Sequence, residues 1–196
     1  MKRVIILNFL EASKAYQAFS EIKMLAAERK IAGDQMAVVT HEKENDKFKI
    51  QDFIDFTGQQ KTAKDSFIGL LIGLLAGPAG MLFGWLTGSI IGSVQDAEGI
   101  KNAQNIFTNV YEKIDAGATG VILIAEEDDN RPLNQLVMTE LQGEISRLSY
   151  EEVEAQIKAA REKKKTQQEE EAKKTSAEEV PHKEKPAENN AENDNK

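Results

Sequence analysis

The chain has 196 residues, 40% hydrophobic and 30% charged, which is material for one modest domain with appendages and not for two full cores. Its net charge is −8, and residues 1–150 and 151–196 are each acidic in balance, so the basic face that nucleic-acid binding requires is missing. Without a cysteine there is no disulfide, thiolate metal site or cysteine nucleophile, and the composition fits a reducing compartment.

The first residues, MKRVIILNFLEASK, carry an apolar run that Asn8 breaks and Glu11 ends, too short for a signal sequence. Residues Arg3 to Phe9 instead read as a strand. Ala12, Ala15, Phe19, Ile22 and Ala26 then recur at three- and four-residue steps and predict an amphipathic helix, with Gly33 and Asp34 as its stop. Met36 to His41 and Lys47 to Phe53 predict a hairpin about the polar turn Glu44, Asn45, Asp46. Beyond the middle of the chain, Ile100, Ala103, Phe107, Val110 and Ile114 form one face of a second helix ending near Gly117. Val121 to Ala125 is a continuous apolar run, the pattern of a strand covered on both faces. Pro132 opens a short third helix carrying Leu133, Leu136, Val137 and Leu141, and Ile145 to Leu148 predicts a last strand. Ser149 with Glu152 is a capping-box pair that starts a helix to about Lys174. Past Val153 and Ile157 that helix has little to bury, so it should stand in solvent. From Thr175 on the composition predicts an acidic, disordered tail.

Between Asp65 and Asp96 lie thirty residues without a formal charge, centred on GLLIGLLAGPAGMLFGWLTGSIIG. Their number exceeds the roughly 18–20 that span a bilayer as one helix. One crossing, however, would leave the predicted strands on opposite sides of a membrane, with neither half able to complete a sheet. A bend at Pro78 returns both flanks to one side. Gly69, Gly73 and Gly77 then line one helix face, and Gly80, Gly84, Gly88 and Gly92 line another, so that two arms can approach closely. Each arm measures roughly 18–22 Å, short of the roughly 30 Å hydrocarbon core, which favours a re-entrant or monotopic hairpin or one that thins the bilayer as an oligomer. The same hairpin could instead fill the interior of a soluble homo-oligomer or lie in a groove of its own domain.

The order of these parts, from EASKAYQAFSEIKML through AVVTHEKENDKFKI and the glycine segment to DAGATGVILIAEE, resembles the bacterial domain-of-unknown-function family numbered 1269, a family of predicted membrane proteins. The resemblance covers about residues 3–150. It implies a small α/β domain interrupted by the hairpin, and it carries no catalytic residue, substrate or cofactor.

The domain organisation expected is thus a discontinuous domain of residues 1–65 and 95–149, a hairpin insert of 66–94, a charged helix of 150–174 and a tail of 175–196. The fold class expected is α+β, a ferredoxin-like sheet with packed helices. No phosphate loop occurs, and the two histidines, His41 and His182, are too few and too far apart for a metal set or triad. The run Glu126 to Asp129 lacks the spacing and the glycine of a calcium loop. Neither enzyme activity nor a cofactor is expected. Two functions remain open: an adaptor at the cell membrane with its domain on the cytoplasmic side, holding lipid or other copies through the hairpin and a protein partner through the charged helix, or a cytoplasmic oligomeric ligand-sensing module with the zipper at its centre.

Overall fold

The computed structural model describes residues 1–59, 62–76 and 106–178. By compactness the chain divides into two units, Met1–Glu162 and Lys163–Lys196.

Within the first unit, five strands form one antiparallel sheet: β1 (Lys2–Asn8), β2 (Ala32–Glu42), β3 (Lys47–Asp55), β4 (Thr119–Glu126) and β5 (Glu144–Ser149), in the order β3-β2-β4-β1-β5. Both β1 and β2 pair antiparallel with β4, so they run parallel to each other on either side of it. Strands β4 and β5 likewise flank β1. With helix α1 (Ala12–Ala27) and helix α4 (Arg131–Asn134), the chain therefore makes two βαβ units, β1-α1-β2 and β4-α4-β5, each split by a strand of the other, with β3 added at the edge by a hairpin.

Helix α1 (Ala12–Ala27) buries Ala15, Ala18, Phe19 and Ile22 against one face of the sheet, beside α4 (Arg131–Asn134) and the π-helical turn Gln135–Glu140 that continues it. Strand residues Ile5, Leu7, Met36, Val38, Val121 and Leu123 supply the sheet's side of that layer. Their alternates, Val4, Ile6, Ala37, Val39, Ile122 and Ile124, face the other way. There they meet α2 (Phe67–Ala76), α3 (Ile106–Lys113) and the first turns of α5 (Tyr150–Glu178), through Ile68, Leu71, Leu75, Ile106, Val110, Val153 and Ile157. β4 is the central strand, and seven of its eight residues are buried, which is why its sequence is an unbroken apolar run.

The mixed α+β class follows directly from this architecture. The end of α1 differs from the sequence-based expectation: Gly33 and Asp34 do not stop the helix but lie inside β2, which begins at Ala32. The helix ends at Ala27 because Arg29 takes a left-handed conformation, φ 59°, and the N–H groups of Glu28, Arg29 and Lys30 close on the carbonyls of Met24, Ala26 and Leu25. Lys30 and Ile31 then suffice to reach the strand. Gly117, with φ 92°, does make the turn after α3, and its N–H donates to the His41 carbonyl at 2.7 Å. Helix α5 continues to Glu178, four residues beyond the expected limit and into the stretch predicted as tail; residues 179–196 lie outside those described.

Candidate functional site: the mooring of the apolar arm

The uncharged segment begins as a helix fastened into the core. Ser66 has extended backbone angles, φ −90° and ψ 160°, and its carbonyl accepts the N–H of Leu70 at 3.0 Å, so it caps α2. Its hydroxyl donates to the Ala63 carbonyl at 2.7 Å and accepts the Gly69 N–H at 2.8 Å. Two further N–H groups of the first turn, on Phe67 and Ile68, converge on Oε1 of Gln35 in β2, at 3.0 and 3.4 Å. Gln35 is 6% exposed, a buried polar group just before the apolar run Met36 to Val39 of β2. Three donors that a helix N-terminus leaves open are thereby satisfied by protein.

Aromatic and charged contacts secure the same end. The Phe67 ring lies 4.7 Å from that of Tyr150, the first residue of α5. Nζ of Lys2 sits 4.4 Å from the Tyr150 ring centre and 2.5 Å from the Asp34 carboxylate. Burial alone would lower the Lys2 ammonium, but the hydrogen bond and charge of Asp34 outweigh it and hold its pKa above the ordinary value. Burial, and then the Glu154 charge, push the Tyr150 phenol up.

Past the mooring, Ile68, Leu71, Ile72 and Leu75 form a ridge buried on the sheet. Each such side chain contributes roughly 1.5–3 kcal/mol through burial. The predicted glycine face divides. At Gly69 an added methyl would run into the Ala63 carbonyl, so this glycine serves close approach to its own preceding turn. Gly73 is exposed, and among the described residues nothing lies within 4 Å of an added Cβ. Gly77, Pro78, Gly80, Gly84, Gly88 and Gly92 lie outside the described residues. Among the described residues no helix is long and apolar enough to cross a membrane.

Two further clusters complete the polar chemistry. His41 is 3% exposed at the end of β2, stacked on Phe48 at 4.2 Å with the Tyr111 ring edge-on at 5.2 Å. Its Nδ1 lies 2.9 Å from the Ile114 carbonyl and its Nε2 2.7 Å from an Asp46 carboxylate oxygen, so both ring nitrogens tie the β2–β3 turn to the end of α3. In the loop after β4, the acidic run is neutralised from within: Glu127 takes a two-pronged bond from Arg147 at 2.6 and 2.7 Å, Asp128 faces the N-terminal ammonium at 3.3 Å, and Asp129 takes Arg131 at 2.8 Å. Among the described residues no group of three or more His, Cys, Asp or Glu side chains could hold a metal ion, and no buried side-chain polar atom lacks a partner.

The mooring was only half visible in the sequence. Ser66 directly before an apolar run is a capping signal; Gln35 gives none, because nothing local tells a strand glutamine that it will meet a helix thirty residues away. Comparison of the chain with protein-family models, with curated proteins and with solved structures finds no match.

Proposed function

We propose that this protein is a non-enzymatic adaptor at the cell membrane, its domain facing the cytoplasm, in which the uncharged segment 66–95 associates with lipid or with other copies of the chain. The observation that carries this reading is the single sheet. Strand β3 precedes the segment and β4 follows it, and both border β2. Any excursion of the intervening residues into a bilayer must then end on the side where it began, as a hairpin does and a single crossing does not. The two interleaved split βαβ units support describing the domain as ferredoxin-like with an added edge strand. The resemblance to the family numbered 1269 agrees with a same-side hairpin.

A second reading has its own support. The ridge of α2 is already covered by the domain, so this part of the arm needs no lipid, and a cytoplasmic oligomer with the glycine segment at its centre satisfies the same chemistry. The chain has no cysteine, so single cysteines can be introduced without background. Ala79→Cys reports on the middle of the uncharged segment and Glu44→Cys on the exposed β2–β3 turn. In membranes from expressing cells, the first should resist a water-soluble maleimide until detergent is added, while the second reacts from the cytoplasmic face. Full-length protein wholly in the soluble fraction as a discrete oligomer would overturn the membrane reading in favour of the second. Removing residues 67–94 outright is a poor control, because it takes Ile68, Leu71 and Leu75 from the core.

A further inference from the structure

A groove of about 580 Å³ lies between the last turns of α1 and the turn formed by α4 and its π-helical continuation. It is on the sheet face opposite α2, and so stands independently of what the uncharged segment does. Its lining mixes charged and polar side chains with apolar ones, Met24 and Leu25 from α1 and Pro132 and Leu136 from the other side. Met24 is 58% exposed. Thioether side chains left in water at a groove adapt to varied apolar partners at low cost. The π turn itself is closed by the bond from the Leu141 N–H to the Leu136 carbonyl at 3.0 Å, an irregularity that recurs where helices carry function.

The rim sets the sign of the partner. Its two cations are already paired with rim carboxylates, Lys30 with Glu28 at 2.7 Å and Arg131 with Asp129 at 2.8 Å. Glu21 and Glu140 have no ion pair among the described residues, and the bonds they accept come from the neutral amides of Gln17 and Gln135. Apolar side chains set between two carboxylates that no described cation pairs are complementary to an apolar ridge flanked by lysine or arginine. We propose that this groove binds a basic amphipathic helix of a partner protein. A second copy of this chain is a poor occupant, since its net charge of −8 would bring acid to acid.

The test uses the full-length protein and a short amphipathic helical peptide of leucine and lysine, with a glutamate-for-lysine version and a scrambled version as controls. Carbon-13-labelled methionine methyl groups are the readout: Met24 should shift on titration, and Met36, which is fully buried on β2, should not. Glu21→Lys with Glu140→Lys should weaken binding by roughly tenfold or more, the effect of reversing two exposed charges against a cationic partner. Glu44→Lys, on the β2–β3 turn, should leave it unchanged. Equal binding of the glutamate peptide, equal affinity of the charge-reversed protein, or methionine shifts that track protein concentration without peptide would each overturn the proposal, the last by making the groove a contact between copies. If the double variant loses its fold by circular dichroism, Met24→Gln, which removes one apolar side chain of the lining without touching the carboxylates, replaces it and should weaken the peptide in the same way.

Discussion

Gly69 and Gly73 share one face of α2, four residues apart, yet their surroundings predict opposite responses to the same added methyl group. At Gly73 nothing among the described residues lies within 4 Å of the new carbon, so Gly73→Ala should stabilise the domain by about 0.5–1 kcal/mol through the lower backbone entropy of alanine in the unfolded chain. At Gly69 the methyl meets a backbone oxygen, that of Ala63, and the Ser66 hydroxyl at 3.2 Å. Neither yields easily, because the same hydroxyl bonds both the Ala63 carbonyl and the Gly69 N–H. Overpacking of this kind costs about 1–3 kcal/mol and a lost cap about 1 kcal/mol, so Gly69→Ala should destabilise by about 2–4 kcal/mol. Urea unfolding followed by far-ultraviolet circular dichroism separates the two, provided the slope with denaturant stays constant across variants. The reasoning is refuted if Gly69→Ala is neutral. It is refuted equally if Gly73→Ala destabilises by about 1 kcal/mol or more at concentrations where the protein is monomeric, because the Gly73 face would then be covered within one chain.

Replacing Gln35 by leucine leaves the Phe67 and Ile68 amides without their acceptor; a loss of about 1–3 kcal/mol and faster hydrogen exchange at those two amides are expected, and unchanged exchange would remove Gln35 from the mooring. Arg147→Met strands the Glu127 carboxylate, which is 10% exposed, and should cost about 2–4 kcal/mol in denaturant unfolding, with much of the loss restored by adding Glu127→Gln. The Arg131 guanidinium holds the Asp129 carboxyl well below the usual carboxylate range, at about 2. A depressed folded-state pKa makes this contribution complete above the unfolded-state value and lost as pH falls toward about 2, so the carboxyl carbon of Asp129 should titrate at the acid end of an NMR series and return to the ordinary range in Arg131→Gln. Because the pair is exposed, the same substitution should leave the unfolding midpoint at neutral pH nearly unchanged.

The elements with a strong local period were legible. Ala15, Phe19 and Ile22 announced α1, and the run from Val121 to Ala125 announced a doubly covered central strand, because hydrophobic spacing and burial are two descriptions of one arrangement. What the sequence hid is non-local. Arg29 ends α1 from a left-handed conformation that its composition does not advertise, while Gly33, the expected stop, sits in a strand whose pairing with β4 shifts register between Gly33 and Gln35. The groove was hidden for the same reason: Glu21 and Glu140 are far apart in the chain, and only the packing of α1 against the π-helical turn brings them to one rim. His41 could be read as a strand residue, but not as the link between two ring nitrogens, the β2–β3 turn and the end of α3.

The glycine spacing and the apolar spacing of α2 are superposed on one helix, and they answer to different neighbours. Positions 68, 71, 72 and 75 follow the helical period and are spent on the sheet. Positions 69 and 73 follow a four-residue period and lie off that ridge, one pressed to its own capping turn and the other with no described residue within 4 Å of an added Cβ. A helix meant only for a soluble core has no use for an exposed glycine in its middle, which costs about 1 kcal/mol relative to alanine. A helix meant only for lipid has no use for a glutamine from a neighbouring strand holding its first turn. The combination is that of a helix with one face committed to its own domain and another kept small, and the two substitutions above distinguish these faces by the sign of a single measured free energy.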